Sequence, residues 1–271
     1  MSSKSAFVLA PAMGHSFIVN RFDYNQAEPS IGVGIELLDR GEFEIGIALL
    51  GAKLASERKE RYGQPVMILD GGANMGVFSV FWGAVMGGGC GAPWGRVIAF
   101  EPQEWPFYQL CGNICINNTF NVTPRRAALG ETAGTIQVPY NHPLVPCNFG
   151  GCSLIEDYDS RREFGRNTDA VEQVTIDSLN LRRLDILKLD VEHMEPQAIL
   201  GGLETIKRCK PVIVAETLNC GVKAIMDVLP EGYITMHVNA VNALCVHQDD
   251  ETGDLQRAIA AWKANVGEKA A

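Results

Sequence analysis

Val66-Met-Ile-Leu-Asp70-Gly-Gly-Ala-Asn74-Met-Gly76-Val-Phe-Ser79 is the stretch whose reading decides the fold. Its opening aliphatic residues form a run of strand length that ends at Asp70, and residues 77–86 have the length and apolarity of a helix. Between them, Gly71, Gly72 and Gly76 let the backbone turn sharply and approach a ligand closely, while the start of the helix offers unpaired N–H groups. A strand, a glycine turn and a helix in that order predict a nucleotide-type site. A plain connection that happens to hold glycine would look the same, so neighbouring segments have to decide.

Working outward, residues 96–100, 185–189 and 212–215 are short aliphatic runs that read as strands, and residues 121–128 form a weaker one because Pro124 interrupts it. Helical candidates fill the gaps at 106–117, 195–207 and 222–229. Strand alternating with helix predicts an α/β domain with a mainly parallel sheet covered on both faces. Residues 233–237 and 243–247 predict a closing hairpin, with a charged segment and a last helix after it. Upstream, the chain reads as irregular to about residue 30, followed by 31–38 and a helix at 43–61 weakened by Gly46 and Gly51. The predicted organisation is an N-terminal helical or lid section at 1–65, a main domain at 66–250 and a C-terminal helix or tail at 251–271. Residues 139–173 read as an irregular insertion, rich in Pro, Gly and Asp, whose length marks a substrate loop.

Composition narrows the function. With 271 residues, 46% hydrophobic and 20% charged, the chain has a globular make-up, and no apolar run reaches the ~18–20 residues that span a bilayer. No membrane association is expected, and residues 1–11 lack a signal-peptide core, which predicts a cytoplasmic location. A net charge of −9 repels polyanions, and the basic clusters at 57–61, 124–126, 160–162 and 207–210 are short, so nucleic acid is disfavoured and no nucleic-acid partner is expected. Eight cysteines include no Cys-x-x-Cys pair, which favours reduced thiols over a zinc site. Cys111 with Cys115 and Cys147 with Cys152 keep a metal reading open.

The strand at 96–100 runs into Glu101-Pro102-Gln103, which places a carboxylate at the edge of the sheet where ligands bind and where an acid accepts hydrogen bonds from both ribose hydroxyls. An NAD-dependent oxidoreductase shares this layout. Its fingerprint, however, is Gly-x-Gly-x-x-Gly seating a pyrophosphate, whereas this chain has Gly-x-Asn-x-Gly from Gly72, directly after Asp70. An acid there would repel a pyrophosphate and suits S-adenosyl-L-methionine, which has no phosphate and carries sulfonium and ammonium groups.

The ordered series Asp70-Gly-Gly-Ala-Asn-Met-Gly-Val-Phe-Ser79, Ala99-Phe-Glu-Pro102, Ala127-Ala-Leu-Gly130, Val174-Thr-Ile-Asp-Ser-Leu179 and Leu187-Lys-Leu-Asp-Val-Glu-His-Met-Glu195 resembles the FkbM family of S-adenosylmethionine-dependent methyltransferases over about residues 66–217. The resemblance implies a Rossmann-like class I methyltransferase fold, with a seven-stranded, mostly parallel sheet closed by the C-terminal antiparallel hairpin. It also implies a small-molecule or saccharide hydroxyl as acceptor. The candidate donor-binding residues are Asp70, Gly71, Gly72, Ala73, Asn74, Gly76, Glu101, Gln103 and Ala128. One departure stands out: the family usually has glycine after the Asp-x-Glu pair, and this chain has His193.

Lys188, Asp190 and Glu192 alternate along a strand and its exit, so they project to one side. Methyl transfer from a sulfonium is an in-line displacement in which the protein aligns the acceptor and removes its proton. Asp190, Glu192 and His193 are the candidate bases; Asp190 could equally orient the donor, and Lys188 neutralises a nearby carboxylate. Glu216, ending the strand at 212–215, reaches the same edge. The Asp/Glu grouping could also hold a divalent cation, but its spacing is not diagnostic, and no required metal is expected. N-methylation of an amine or peptide, an NAD-dependent oxidoreductase and a silent donor-binding protein are the competing readings. The run at 87–91 reads as a loop and not a phosphate cradle, since no lysine follows it.

Overall fold

The computed structural model describes residues 5–26, 30–87, 92–151 and 168–250. The expected C-terminal helix, and the run at 87–91 beyond Gly87, lie outside the described residues. The chain opens with a hairpin, β1 (Phe7–Ala12) and β2 (His15–Asn20), followed by helices α1 (Val33–Arg40) and α2 (Ile45–Tyr62). Alternating elements follow: β3 (Val66–Gly71), α3 (Val77–Val85), β4 (Gly95–Phe100), α4 (Glu104–Ile116) and β5 (Val122–Arg125). A small sheet of β6 (Ala128–Leu129), β7 (Gly134–Pro139) and β8 (Thr168–Val174) intervenes. The chain then continues through β9 (Ile186–Leu189), α5 (Glu195–Leu200), α6 (Leu203–Cys209), β10 (Val212–Glu216), α7 (Gly221–Val228), β11 (Tyr233–His237) and β12 (Asn242–His247).

The main sheet has seven strands in the order β11-β12-β10-β9-β3-β4-β5. The five from β10 to β5 pair in parallel, while β12 runs antiparallel to both β10 and β11. This is the predicted sheet with its closing hairpin. The side-chain period of two splits the strand residues between two cores. Ile68, Val97, Ile186 and Val214 pack with α2, α3 and α4 on one face. Leu69, Leu187, Leu189 and Ile213 pack with α5, α6 and α7 on the other. Chain order reverses between β9 and β3, and the crevice at the carboxyl ends of strands flanking such a reversal is where open α/β sheets hold ligands.

Several sequence expectations need correction. Residues 7–20 are not irregular but form the β1–β2 hairpin, held against α4 by buried side-chain amides. Asn113 Oδ1 accepts Ile18 N–H at 2.6 Å, and Gln109 Nε2 donates to Ile18 O at 2.9 Å. Asn113 also donates from Nδ2 to Met75 O at 2.8 Å, which joins the hairpin to the glycine turn. The expected helix at 195–207 is two helices broken at Gly201-Gly202, where a Cβ on Gly201 would overlap the Gly130 carbonyl. Pro124 is tolerated because β5 is an edge strand. Residues 139–173 are irregular only in part: β8 ends that segment and pairs antiparallel with β7, while 152–167 lie outside the described residues. The six described cysteines are free thiols, and among the described residues no helix is long and apolar enough to cross a membrane.

Candidate functional site

A cavity of about 490 Å³ lies at the carboxyl ends of β3, β4, β9 and β10. Of the candidate donor-binding residues, Gly72, Ala73, Asn74, Glu101, Gln103 and Ala128 line it. Asp70, Gly71 and Gly76 stand behind the wall.

The glycine turn is built differently from the sequence expectation. Gly72 holds φ at +74°, and a Cβ there would overlap the Asp190 carbonyl oxygen, so the glycine is required by the neighbouring strand and not only by a ligand. A Cβ on Gly76 (φ +89°) would meet the end of the Leu110 side chain of α4 and not a backbone atom. The turn's N–H groups are already engaged. Those of Gly72 and Ala73 donate to Phe100 O, that of Asn74 to Glu101 Oε2 at 2.8 Å, that of Met75 to Asn74 Oδ1, and that of Gly76 to Ala73 O. A phosphate cradle needs such groups free.

Glu101, 3% exposed, also accepts Gln103 N–H on Oε1 at 2.8 Å. Burial pushes its carboxyl up to about 7, against the lowering effect of those two N–H groups. Gln103 donates from Nε2 to Phe149 O at 2.7 Å, which ties the segment Asn148–Gly151 to the wall.

Lys188 is the electrostatic centre. Its buried Nζ lies 3.0 Å from Gly72 O, 3.2 Å from Asp190 Oδ2 and 3.4 Å from Asp70 Oδ1. Burial alone would lower its pKa, but Asp190 and Asp70 outweigh that, so it remains a cation. Asp70 accepts Ser79 Oγ–H at 2.6 Å and is fully buried. Its carboxylate faces Lys188, and its side chain does not line the cavity.

The fold brings Asp190, Glu192 and Glu216 together, with one carboxylate oxygen from each within 4.8 Å of the others. Burial, then Asp190 and Glu216, push Glu192 up to about 9; burial, then Asp190 and Glu195, push Glu216 up to about 8. Glu192 and Glu216 therefore retain protons near neutral pH, and with Asp190 they form the described set able to hold a divalent cation, an option the acid grouping raised in the sequence but its spacing left undecided. His193 lines the same wall with φ +79°, a left-handed conformation that explains why glycine suits this position. Burial lowers its imidazole below the ordinary value, leaving it neutral near pH 7.

The leading section supplies a wall that no motif announced. Ile31, Val33, Glu36, Phe43 and Glu44 face the cavity, opposite Leu218 and Asn219. The signal, visible only in retrospect, is the Gly32-Val33-Gly34 spacing that lets the start of α1 press against Asp23.

The chain is 26% identical over 180 residues to methyltransferase sdnD of Sordaria araneosa, a match covering 55% of this chain and 65% of that relative's length. Among solved structures it is similar to a methyltransferase FkbM from Methylobacillus flagellatus, at 18% identity, a TM-score of 0.44 and coverage of 67% of this chain and 43% of that one. A precorrin-6y C5,15-methyltransferase from Geobacter metallireducens matches at 15% identity and a TM-score of 0.39, covering 71% of this chain and 86% of its own. Residues 70–231, more than half of the chain, match the profile of the methyltransferase FkbM domain, and the chain belongs to that family.

Proposed function

We propose that the cavity binds S-adenosyl-L-methionine and that the protein transfers a methyl group to a hydroxyl of a small-molecule or saccharide acceptor. The observation that carries this reading is the glycine turn. Its N–H groups from Gly72 to Gly76 are spent within the protein, which withholds them from the pyrophosphate of a dinucleotide, while the buried Glu101 carboxyl offers unused acceptor capacity for ribose hydroxyls. Asn74, Gln103 and Ala128 would hold the donor's nucleoside side, with Ala73 and Gly72 against the turn.

When bound, the donor supplies an electrophilic methyl group on sulfur, and it leaves as S-adenosylhomocysteine with the electron pair of the broken C–S bond. The chain's own residues align the acceptor oxygen in line with that bond and take its proton. His193, neutral near pH 7 and on the wall, is the assigned base; Asp190, paired to Lys188, orients the reacting groups. No metal is needed for this sequence of events.

A second reading has one observation in its favour. Glu36, Glu44, Asp190, Glu192 and Glu216 line a cavity whose one described cationic side chain is Lys188, itself neutralised, and such a wall also suits an amine acceptor. The test is a screen of hydroxyl and amine acceptors with isotopically labelled donor, followed by mass spectrometric location of the methyl group. Methyl on oxygen is the expected result; methyl found only on nitrogen overturns the hydroxyl assignment.

A further inference from the structure

We propose that Asp23, which does not line the cavity, is the positioning residue that holds the Phe149 segment over the donor side of the site. This inference rests on the donor reading above and extends it to a residue outside every motif discussed.

Asp23 is 1% exposed and lies just after β2. Its two carboxylate oxygens serve two different walls: Oδ2 accepts Gly34 N–H of α1 at 2.9 Å, and Oδ1 accepts Phe149 N–H at 3.0 Å. The Phe149 peptide is thus gripped at both ends, because its carbonyl accepts from Gln103 Nε2 at 2.7 Å. Gln103 is in turn anchored through its own N–H to Glu101. One continuous chain of hydrogen bonds therefore runs from α1 through Asp23, Phe149 and Gln103 to Glu101. Cys147 N–H donating to Phe22 O at 3.0 Å, and Asn20 Nδ2 donating to Pro143 O at 3.0 Å, hold the same segment further along.

The segment sits where it would matter. A Cβ added to Gly150 would lie 3.2 Å from Asn74 Nδ2 and 3.4 Å from Val33 Cγ2, so the strap is wedged between the glycine turn and α1. Asn148, Phe149, Gly150 and Gly151 all line the cavity. The carboxylate itself is held at a cost: burial pushes it up to about 6 against the two N–H groups it accepts. An apolar residue filling that space would avoid the cost but could not join the two walls.

The experiment uses the full chain and S-adenosylhomocysteine as probe. Asp23→Asn keeps the shape but turns an NH2 group toward one of the two N–H donors. Asp177→Asn is the control, since Asp177 accepts Thr205 N–H at 2.7 Å and Glu204 N–H at 3.1 Å at the start of α6 and does not line the cavity. In Asp23→Asn the peptide spanning 145–151 should lose hydrogen-exchange protection while β3 and β9 keep theirs. The probe should also dissociate about tenfold faster or more, by surface plasmon resonance. Asp177→Asn, compared at its own loss of unfolding midpoint, should leave both readouts at the wild-type value.

Unchanged exchange and dissociation in Asp23→Asn overturn the proposal, as do equal effects in both variants that simply track stability. If Asp23→Asn does not fold, the wild type decides: Phe149 N–H must exchange slowly, and more slowly with the probe, whereas an unprotected 145–151 peptide overturns the proposal. A wild-type protein that binds no S-adenosylhomocysteine overturns the donor reading and this proposal together, while a wild type that binds, with an indifferent Asp23→Asn, overturns the proposal alone.

Discussion

Replacing His193 with glycine should make the protein more stable and less active. His193 holds φ at +79°, and a residue with a Cβ pays roughly 1–2 kcal/mol to sit in the left-handed region. Glycine removes that strain but adds about 0.5–1 kcal/mol of unfolded-chain entropy. The net gain is up to about 1.5 kcal/mol and centres on ~0.75 kcal/mol, which for a chain of this size raises the thermal midpoint by about 2 °C. The same substitution deletes the imidazole that faces the cavity. With an acceptor from the labelling screen, the rate at saturating donor should fall by about 10² to 10⁴, with S-adenosylhomocysteine affinity nearly unchanged. Because burial lowers the His193 pKa, the wild-type rate should rise through a single titration centred below the ordinary value of 6.5, and that limb should vanish in the variant. A fully active His193→Gly enzyme would return the base to Asp190 and Glu192. A variant no more stable than wild type would refute the strain argument.

Gly72→Ala should destabilise the fold itself, by about 3 kcal/mol or more in urea denaturation without ligand, because its Cβ would overlap the Asp190 carbonyl at a φ of +74°; an ordinary denaturation midpoint would place the glycine's role at the ligand instead. Glu192 and Glu216, pushed up to about 9 and about 8, bind more protons in the folded than in the unfolded chain, so their contribution to stability is present below their unfolded values near 4.5 and is lost as pH rises through 8 and 9. The thermal midpoint of the ligand-free protein should fall across that window, and Glu216→Gln should flatten the fall; an unaltered profile would reject Glu192 and Glu216 as proton-holding. EDTA should leave methyl transfer unchanged. Loss of activity restored by Mg²⁺ would instead assign Asp190, Glu192 and Glu216 as ligands.

The α/β core was legible because its signal is local. Val66–Gly71 and Ile186–Leu189 are mostly aliphatic, with Asp70 and Lys188 as their charged members, and burial on both faces leaves little else for them to be. The closing hairpin was equally plain. The β1–β2 hairpin was not, since its stability comes from Asn113 and Gln109, which are about a hundred residues away in sequence. The break at Gly201 depends on the carbonyl of Gly130 and has no local mark beyond the paired glycines. At the site, Glu101 and the glycine turn were found by their place after strands, but the roles differed. Asp70 serves Lys188, and Gly72 makes room for Asp190, because the strand β9 that carries Lys188 and leads into Asp190 lies beside β3 only in the folded sheet. The acidic trio joins residues from two strand ends in the same way.

The most direct test of the donor reading is calorimetry of the wild-type protein and Glu101→Ala with S-adenosylhomocysteine and, separately, with NAD. Wild type should bind S-adenosylhomocysteine and not NAD. Glu101→Ala, with its fold checked by circular dichroism, should bind S-adenosylhomocysteine about 1–3 kcal/mol more weakly, because the hydroxyl hydrogen bonds to its carboxyl are lost. Binding of NAD in preference to S-adenosylhomocysteine, or full S-adenosylhomocysteine affinity in a folded Glu101→Ala, would contradict that assignment.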